Sequence, residues 1–282
     1  MANISAAEVK KLRDATGAGM MDCKKALVET DGDFEAAVTY LREKGIAGAA
    51  KKADREANEG AIGVYITEDG KTGAIIEVNC ETDFVGRNEA FRALVSDLAY
   101  QAAYSGDNDV EVFLSKAFIK DEAKTVEAVL KEGIATIGEN MVVNRIALVN
   151  AANGEIGSYV HSDGKKGAIV VVEGATGEAA KEAARDAAMQ AVALRAPYLN
   201  RAGVPAEVLE AEKAIYRTQA AQDGKPEAMQ DKIAEGRIGK FFKENTLEEQ
   251  AFIKDDKKSV GQVAKEAGAQ LAQFVRFEVG VK

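Results

Sequence analysis

The chain contains one pattern twice, GAIGVYITEDGKTGAIIEV at residues 60–78 and GEIGSYVHSDGKKGAIVVV at residues 154–172. More than half of the aligned positions are identical. Each copy has two runs rich in β-branched residues around an Asp-Gly turn, Asp69-Gly70 or Asp163-Gly164, which is typical of a β-hairpin. Helical segments and a returning strand follow each hairpin. The sequence therefore predicts an α+β fold with a duplicated core of antiparallel sheets.

The two copies diverge after their second strand. The first continues into Asn79-Cys80-Glu81-Thr82-Asp83-Phe84-Val85, and the second into Glu173-Gly174-Ala175-Thr176. A polar and aromatic segment carried by only one copy of a scaffold is a candidate functional site. From residue spacing alone, Phe84 fits two roles equally well: a wedge that enters a partner, or a core residue that closes the hairpin.

Composition restricts the classes of function. The chain has 282 residues, is 46% hydrophobic and carries a net charge of −9. Binding to phosphates requires clustered Lys and Arg, so this charge argues against direct nucleic acid contact. No apolar run is long enough to span a bilayer, and the start of the chain lacks the features of a signal peptide. We therefore expect a cytoplasmic protein without membrane contact.

The sequence contains one histidine, His161, and two cysteines, Cys23 and Cys80. This set argues against the usual zinc sites, and no phosphate-binding glycine motif is present, so we expect neither a metal nor a cofactor. Cys80 and His161 would meet only if the two copies faced each other. A Cys–His nucleophile also needs an oxyanion hole, which the residues around Cys80 do not supply. We favour a packed, reduced thiol.

Helical periodicity outside the hairpins completes the layout. The first unit has three helices with apolar faces and ends at Gly45, and a highly charged unit with sparse apolar positions is typical of a projecting antiparallel helical hairpin. The predicted units are a three-helix domain at 1–45, a linker at 46–59, core subdomain N at 60–152, core subdomain C at 153–200 and 237–282, and a helical arm at 201–236.

A second distinctive string lies near the start of the chain, Thr16-Gly17-Ala18-Gly19-Met20-Met21-Asp22-Cys23-Lys24-Lys25-Ala26. Its glycines predict a tight turn between two helices. The pattern favours a core position for Met21. Two adjacent methionines cannot both face inward, so we expect one of them to be exposed, where methionine is an adaptable contact residue.

Five separated strings together resemble the bacterial elongation factor Ts family. The first is the N-terminal string with Leu12-Arg13 before it, and the second is the segment from Asn79 to Val85. The other three are Ile137-Gly138-Glu139-Asn140, Glu235-Gly236-Arg237 and Phe274-Val275-Arg276-Phe277-Glu278-Val279-Gly280. The strings occur in the order of the family, and the resemblance covers the whole chain.

This resemblance implies both a fold and a function. Members of the family are guanine-nucleotide exchange factors for elongation factor Tu and perform no bond chemistry. The implied fold has an N-terminal three-helix domain of the ubiquitin-associated type, a duplicated α+β core and a helical coiled-coil arm. The implied partner is Tu in its GDP-bound and nucleotide-free forms.

The family's contacts can be carried onto the matching positions of this chain. The residues expected to bind a helix of the nucleotide-binding domain of Tu are Arg13, Met20 and Met21. The segment expected to enter near the magnesium site and displace the ion is Thr82, Asp83, Phe84 and Val85, supported by Ile137, Gly138 and His161. Some members continue into an extra C-terminal helix, but this chain stops at Lys282, so we assign no contact from such a helix.

Two alternatives compete with nucleotide exchange. The first is a non-catalytic adaptor whose three-helix domain binds a helix of another partner. The second is a cysteine hydrolase that uses Cys80 and His161.

Overall fold

The computed structural model describes residues 4–281, apart from the side chains of Ile46, Ala47 and Ala50. The chain begins with helices α1 (Ala6–Thr16), α2 (Met20–Glu29) and α3 (Phe34–Ala50). Ser5 and Glu8 form a capping box at the start of α1. The buried residues that hold the three helices together are Val9, Leu12, Cys23, Ala26, Leu27 and Ala37.

The first half of the core follows. Its elements are β1 (Glu59–Ile66), β2 (Thr72–Cys80), α4 (Asp83–Gly86), α5 (Glu89–Ser105), α6 (Val110–Ser115), β3 (Ala117–Phe118), β4 (Asp121–Thr125), α7 (Val126–Ile137) and β5 (Met141–Asn150). Strands β1, β2 and β5 form an antiparallel sheet in that order. Helix α5 covers one face of this sheet with buried Phe91, Val95 and Leu98.

The second half repeats this arrangement. Its elements are β6 (Gly154–Val160), β7 (Lys166–Glu173), α8 (Glu178–Leu194), α9 (Ala206–Gln222), α10 (Glu227–Asn245), β8 (Ala251–Phe252), β9 (Asp255–Ser259), α11 (Val260–Glu266) and β10 (Gln270–Glu278). Strands β6, β7 and β10 form an antiparallel sheet in that order. The prediction of an α+β fold with antiparallel sheets is therefore confirmed.

The two sheets pack face to face, so each central strand is buried on both sides. Ile75 of β2 and Ile169 of β7 lie in the cluster between the sheets. The neighbouring Ile76 and Val170 face the opposite way, into the cores of the first and second halves. Burial on both faces explains why these strands are continuous apolar runs rather than alternating ones.

One repeated glycine is required by the close packing of helix on strand. A Cβ on Gly157 of β6 would overlap the backbone nitrogen of Arg185 in α8, and a Cβ on Gly63 of β1 would lie 2.8 Å from Cγ1 of Val95 in α5. Both distances are too short for any other residue type without movement of the helix. The glycine shared by the two copies therefore sets how closely each helix approaches its sheet.

Helix α3 does not end at Gly45, as the sequence suggested, but continues to Ala50. The first residues of the predicted linker are therefore helical. Packing against α7 accounts for the difference: a Cβ on Gly45 would lie 2.9 Å from the Cβ of Ala135, and Arg42 forms a 3.3 Å ion pair with Glu132. Here glycine permits a close helix–helix contact instead of ending the helix.

The predicted core position of Met21 is wrong. Met20 and Met21 are 45% and 77% exposed, respectively. Cys23, Ala26 and Leu27 provide the buried face of α2 instead. Their spacing of three and four residues fills one side of the helix and leaves both methionines outside it.

Helices α9 and α10 form an antiparallel hairpin, with Ala220 and Ala234 buried on its two helices. A cluster that includes Val204, Phe241 and Phe242 anchors the base of this hairpin. Helix α10 runs through Gly236 without interruption, so the hairpin and the body share one continuous helix.

Candidate partner-binding surface

The segment after β2 forms a single helical turn, α4, that is fixed by Thr82. The Thr82 hydroxyl accepts the Val85 N–H at 3.4 Å and donates to Glu139 Oε1 at 2.6 Å. The Thr82 N–H donates to the other oxygen of Glu139 at 3.0 Å. Because both oxygens of one carboxylate hold the start of the turn, the turn is attached firmly to the loop after α7.

The exposed side of this turn carries Phe84, whose side chain is 82% exposed. Val85 is buried beneath it in the core of the first half. The interpretation of Phe84 as a core residue is therefore wrong. Val85 and Thr82 fix the backbone of the turn, and the aromatic ring projects into solvent from a preorganised support.

A second carboxylate strengthens the same junction. Glu81 accepts the Asn140 N–H at 2.6 Å and lies 3.3 Å from Arg55. The hydrogen bond from Asn140, aided by the nearby positive charges, lowers the pKa of the Glu81 carboxyl. The Asn140 side chain in turn donates to the carbonyl oxygens of Ala53 and Arg55. The carboxylate form of Glu81 therefore joins three segments of the chain.

The structure brings Ile137 and Gly138 next to the Phe84 turn. Helix α7 ends at Ile137, and Gly138 takes the left-handed conformation, with φ of 94°. This conformation favours glycine, and its N–H closes the helix on the Ile134 carbonyl. The chain then turns directly into Glu139, whose carboxylate binds Thr82.

His161 lies in the turn between β6 and β7, in the second half of the core. Its Nδ1 is 3.0 Å from a carboxylate oxygen of Asp163. Burial raises the pKa of the Asp163 carboxyl, but hydrogen bonds from the Lys165 N–H and from His161 outweigh burial and lower it. Arg92 connects this turn to the Phe84 turn, because its side chain donates to the carbonyl oxygens of both Gly86 and Asp163 at 3.2 Å.

Cys80 does not pair with His161. Its thiol lies 3.2 Å from the Thr82 carbonyl oxygen, to which it donates. Burial, with the negative charges of Glu139 and Glu59, raises the pKa of the Cys80 thiol to about 12. A nucleophilic cysteine requires the opposite shift, so this environment does not favour the cysteine hydrolase interpretation.

The N-terminal residues predicted to bind a partner lie at one end of the three-helix unit. Arg13 is exposed in the last turn of α1, and Met20 and Met21 begin α2 just after the glycine turn. A Cβ on Gly17 in that turn would lie 3.2 Å from Cγ2 of Thr136. The glycine turn therefore contacts the end of α7 that leads to Gly138 and the Phe84 turn.

Sequence reasoning missed the residues that connect these groups. Glu139 lies in one of the five family-like strings but has no predicted role, and Arg92 lies in none of them. No local pattern identifies either residue, because each acts on segments that are distant in sequence.

The model of the family described as "Elongation factor TS" matches residues 81–281. Curated relatives match almost the full chain. Elongation factor Ts of Clostridium botulinum (strain 657 / Type Ba4) is 50% identical over 98% of this chain and 92% of its own length. Elongation factor Ts of Clostridium tetani is 49% identical over 98% and 93%, and that of Halothermothrix orenii is 43% identical over 98% and 92%.

The chain belongs to the elongation factor Ts family. Membership confirms the resemblance drawn from the five strings and establishes a role in translation elongation. Within residues 4–281, no helix has the length and apolar character needed to cross a membrane. The same residues contain no cluster of three or more His, Cys, Asp or Glu side chains arranged to hold a metal ion.

Four segments of the chain carry the residues predicted to bind a partner. These are the glycine turn, the Gly138 loop, the Phe84 turn and the His161 turn. The glycine turn lies against Thr136 at the end of α7, the Gly138 loop binds the Phe84 turn through Glu139, and Arg92 links the Phe84 turn to the His161 turn. They form a surface composed of exposed apolar and polar side chains on a rigid support. We refer to these four segments below as the contact surface.

Proposed function

We propose that this protein is the guanine-nucleotide exchange factor of elongation factor Tu. It binds Tu·GDP, displaces the magnesium ion of that protein, and promotes the release of GDP and the loading of GTP. The exposed Phe84 ring on its fixed turn is the observation that carries this proposal. The protein acts in the cytoplasm, contacts neither nucleic acid nor membrane, and performs no bond chemistry.

The roles of the contact residues follow from their positions. Arg13, Met20 and Met21 dock onto a helix of the nucleotide-binding domain. The Thr82–Val85 turn enters near the magnesium site, with Phe84 as the wedge and Asp83 beside it. Ile137, Gly138 and His161 support the turn on either side.

In this mechanism, binding of the exchange factor and binding of nucleotide to Tu oppose each other. An exchange factor lowers the affinity of its partner for nucleotide, and by reciprocity nucleotide lowers the affinity for the exchange factor equally. Burial of one phenylalanine ring contributes about 1.5–3 kcal/mol. This corresponds to roughly a ten- to hundredfold weakening of nucleotide binding. Removal of a divalent ion that bridges phosphates adds to that effect.

We also propose the domain organisation implied by the family. Residues 1–45 are a ubiquitin-associated-like docking domain, followed by a linker at 46–59 whose first residues continue helix α3. Residues 60–152 are core subdomain N, and residues 153–200 with 237–282 are core subdomain C. Residues 201–236 are a coiled-coil arm, for which the antiparallel packing of α9 on α10 is supporting evidence.

The test is release of labelled GDP from Tu, measured with and without this protein in excess unlabelled nucleotide. We expect wild type to accelerate release and Phe84→Ala to reduce the acceleration roughly ten- to a hundredfold. The melting temperature of Phe84→Ala should stay close to that of wild type, because the ring is exposed in the free protein. Val112→Ala, which removes an exposed apolar side chain from α6, is the matched control and should exchange normally.

The same assay distinguishes nucleotide exchange from the adaptor function. A protein that binds Tu without accelerating release, or binds only another partner, would support the adaptor instead. His161→Ala should weaken exchange partly without abolishing it, because His161 contacts Asp163 and supports the surface rather than forming its centre.

A further inference from the structure

Arg92 joins the two halves of the molecule at the contact surface. It lies in the first turns of α5, and its Nε donates to the Gly86 carbonyl oxygen at 3.2 Å. Its Nη2 donates to the Asp163 carbonyl oxygen, also at 3.2 Å. Gly86 ends the Phe84 turn, and Asp163 lies in the His161 turn. A single planar guanidinium therefore connects two segments that come from different copies of the duplication.

The His161 turn is shaped to receive this guanidinium. Gly164 takes the left-handed conformation, with φ of 75°, and a Cβ there would lie 3.2 Å from Nη2 of Arg92. The Gly164 carbonyl accepts the Ile62 N–H of β1 at 2.8 Å. The turn is therefore attached to the first half by this backbone bond, by the Arg92 side chain and by an ion pair between Lys165 and Glu59, and Gly164 leaves room for the guanidinium.

Comparison of the two copies shows that the fold does not require the Arg92 contacts. Helices α5 and α8 align through two shared contacts: Gln101 and Gln190 each bind the backbone of a short hairpin, and Asp97 and Asp186 each pair with a lysine at 2.6 Å. In this alignment Lys181 of α8 takes the place of Arg92. The Lys181 side chain is exposed and makes no hydrogen bond or ion pair to the described residues.

The second copy therefore adopts the same fold without a bridge like the one that Arg92 forms between two turns. The bridge occurs only in the copy that also carries the Phe84 turn. We propose that Arg92 is a positioning residue for nucleotide exchange: it fixes the Phe84 turn relative to the His161 turn, so that both meet Tu in one geometry. This inference rests on the proposed function, and it assigns a residue that would not itself contact nucleotide.

The first test uses the free protein and does not depend on nucleotide exchange. Amide hydrogen exchange is measured by mass spectrometry in wild type, Arg92→Ala and Lys181→Ala. We expect the peptides that cover residues 83–88 and 161–165 to exchange about three- to tenfold faster in Arg92→Ala, since each lost hydrogen bond is worth about 1 kcal/mol. Lys181→Ala should match wild type. Unchanged protection in Arg92→Ala would overturn the proposal.

The second test measures GDP release from Tu and the coupling between the two turns. We expect Arg92→Ala to reduce the maximal release rate about three- to tenfold, with a smaller change in the concentration of half-maximal effect. Arg92→Lys should not restore the rate, because one ammonium group cannot reproduce a fork to two carbonyls. Phe84→Ala and His161→Ala should be coupled in wild type and additive in the Arg92→Ala background.

These outcomes distinguish failure of the proposed function from failure of the positioning role of Arg92. If wild type fails to accelerate release, the proposed function fails, and the exchange role of Arg92 fails with it, even where hydrogen exchange shows that the bridge orders both turns. If wild type accelerates release while Arg92→Ala is equally fast and the coupling persists, only the positioning role is overturned.

Discussion

At the scale of single residues, we predict that the rate of alkylation of Cys80 depends on pH in a defined way. Its pKa of about 12 keeps the thiol protonated near neutrality. At pH 8 a thiol with the ordinary value is about one-quarter ionised, whereas this one is ionised in about one molecule in ten thousand. We therefore expect native Cys80 to react with iodoacetamide on the order of a hundredfold or more slowly than in urea, with the rate rising about tenfold per pH unit up to pH 10.

Peptide mass spectrometry after timed alkylation provides the measurement, and the urea-unfolded chain is the control. His161→Ala should leave the native rate unchanged, because His161 pairs with Asp163 and not with the thiol. Rapid alkylation that is lost in His161→Ala would revive the cysteine hydrolase.

At the scale of elements, the helical hairpin divides into a base and a tip. The base packs through Ile238, Phe241 and Phe242, whereas Ile215 and Met229 nearer the tip are about half exposed. We expect replacement of residues 218–233 by a short Gly/Ser linker to preserve a cooperative thermal transition. Replacement of residues 205–245 removes the buried phenylalanines and should lower stability by several kcal/mol. Equal loss of cooperativity in both variants would show that the tip is part of the core.

The same scale shows which elements the sequence predicts and which it does not. The hairpins and the helices from Glu89, Glu178 and Ala206 follow from turn residues and apolar spacing, which are local signals. The short hairpins β3–β4 and β8–β9 were missed, although Ala-Phe-Ile-Lys-Asp occurs at both 117–121 and 251–255. The long helical arm inserted into the second half hides this repeat when the sequence is read in order.

Elements were mispredicted where tertiary packing outweighs local preference. Gly45 is a helix-ending signal in isolation, but contact with Ala135 of α7 keeps α3 helical. The contact residues follow from the resemblance to the family, whereas the roles of the supporting residues Glu139 and Arg92 depend on contacts between distant segments. Such contacts depend on the three-dimensional arrangement and leave no periodic trace in the sequence.

At the scale of the whole molecule, Arg145 of the first half pairs with a buried carboxylate and also binds the end of the second half. Glu77 of β2 is fully buried and lies 2.7 Å from Arg145 of β5. Arg145 also donates to the carbonyl oxygens of Glu278 and Val281. We expect Arg145→Ala to reduce the free energy of unfolding in urea by about 3 kcal/mol, because it leaves a buried carboxylate unpaired.

The matched control for this ion pair is Arg195→Ala. Arg195 also binds Glu278, at 2.8 Å, but its side chain is 61% exposed. Exposed pairs contribute about 0–1 kcal/mol, so this variant should be nearly as stable as wild type. Similar losses in the two variants would show that pairing with a buried carboxylate does not make Arg145 more stabilising than Arg195.

The last prediction also concerns the whole molecule and separates docking from release. Ala49 of α3 is buried in the core of the first half, so deletion of the three-helix unit would disturb that core. Substitution of the exposed methionines is therefore the cleaner experiment. If they only dock Tu, their contacts contribute equally before and during GDP release. Removing such uniform binding changes the concentration of half-maximal effect and leaves the maximal rate alone.

We expect Met20→Ala/Met21→Ala to raise the concentration of half-maximal GDP release by roughly tenfold or more, for about 1.5–3 kcal/mol of lost burial. Its maximal rate should stay within about twofold of wild type, whereas Phe84→Ala should lower the maximal rate. Val28→Ala is the control, since Val28 is similarly exposed, at 46%, towards the opposite end of α2. A lower maximal rate at an unchanged half-maximal concentration would show that the methionines take part in the release step itself.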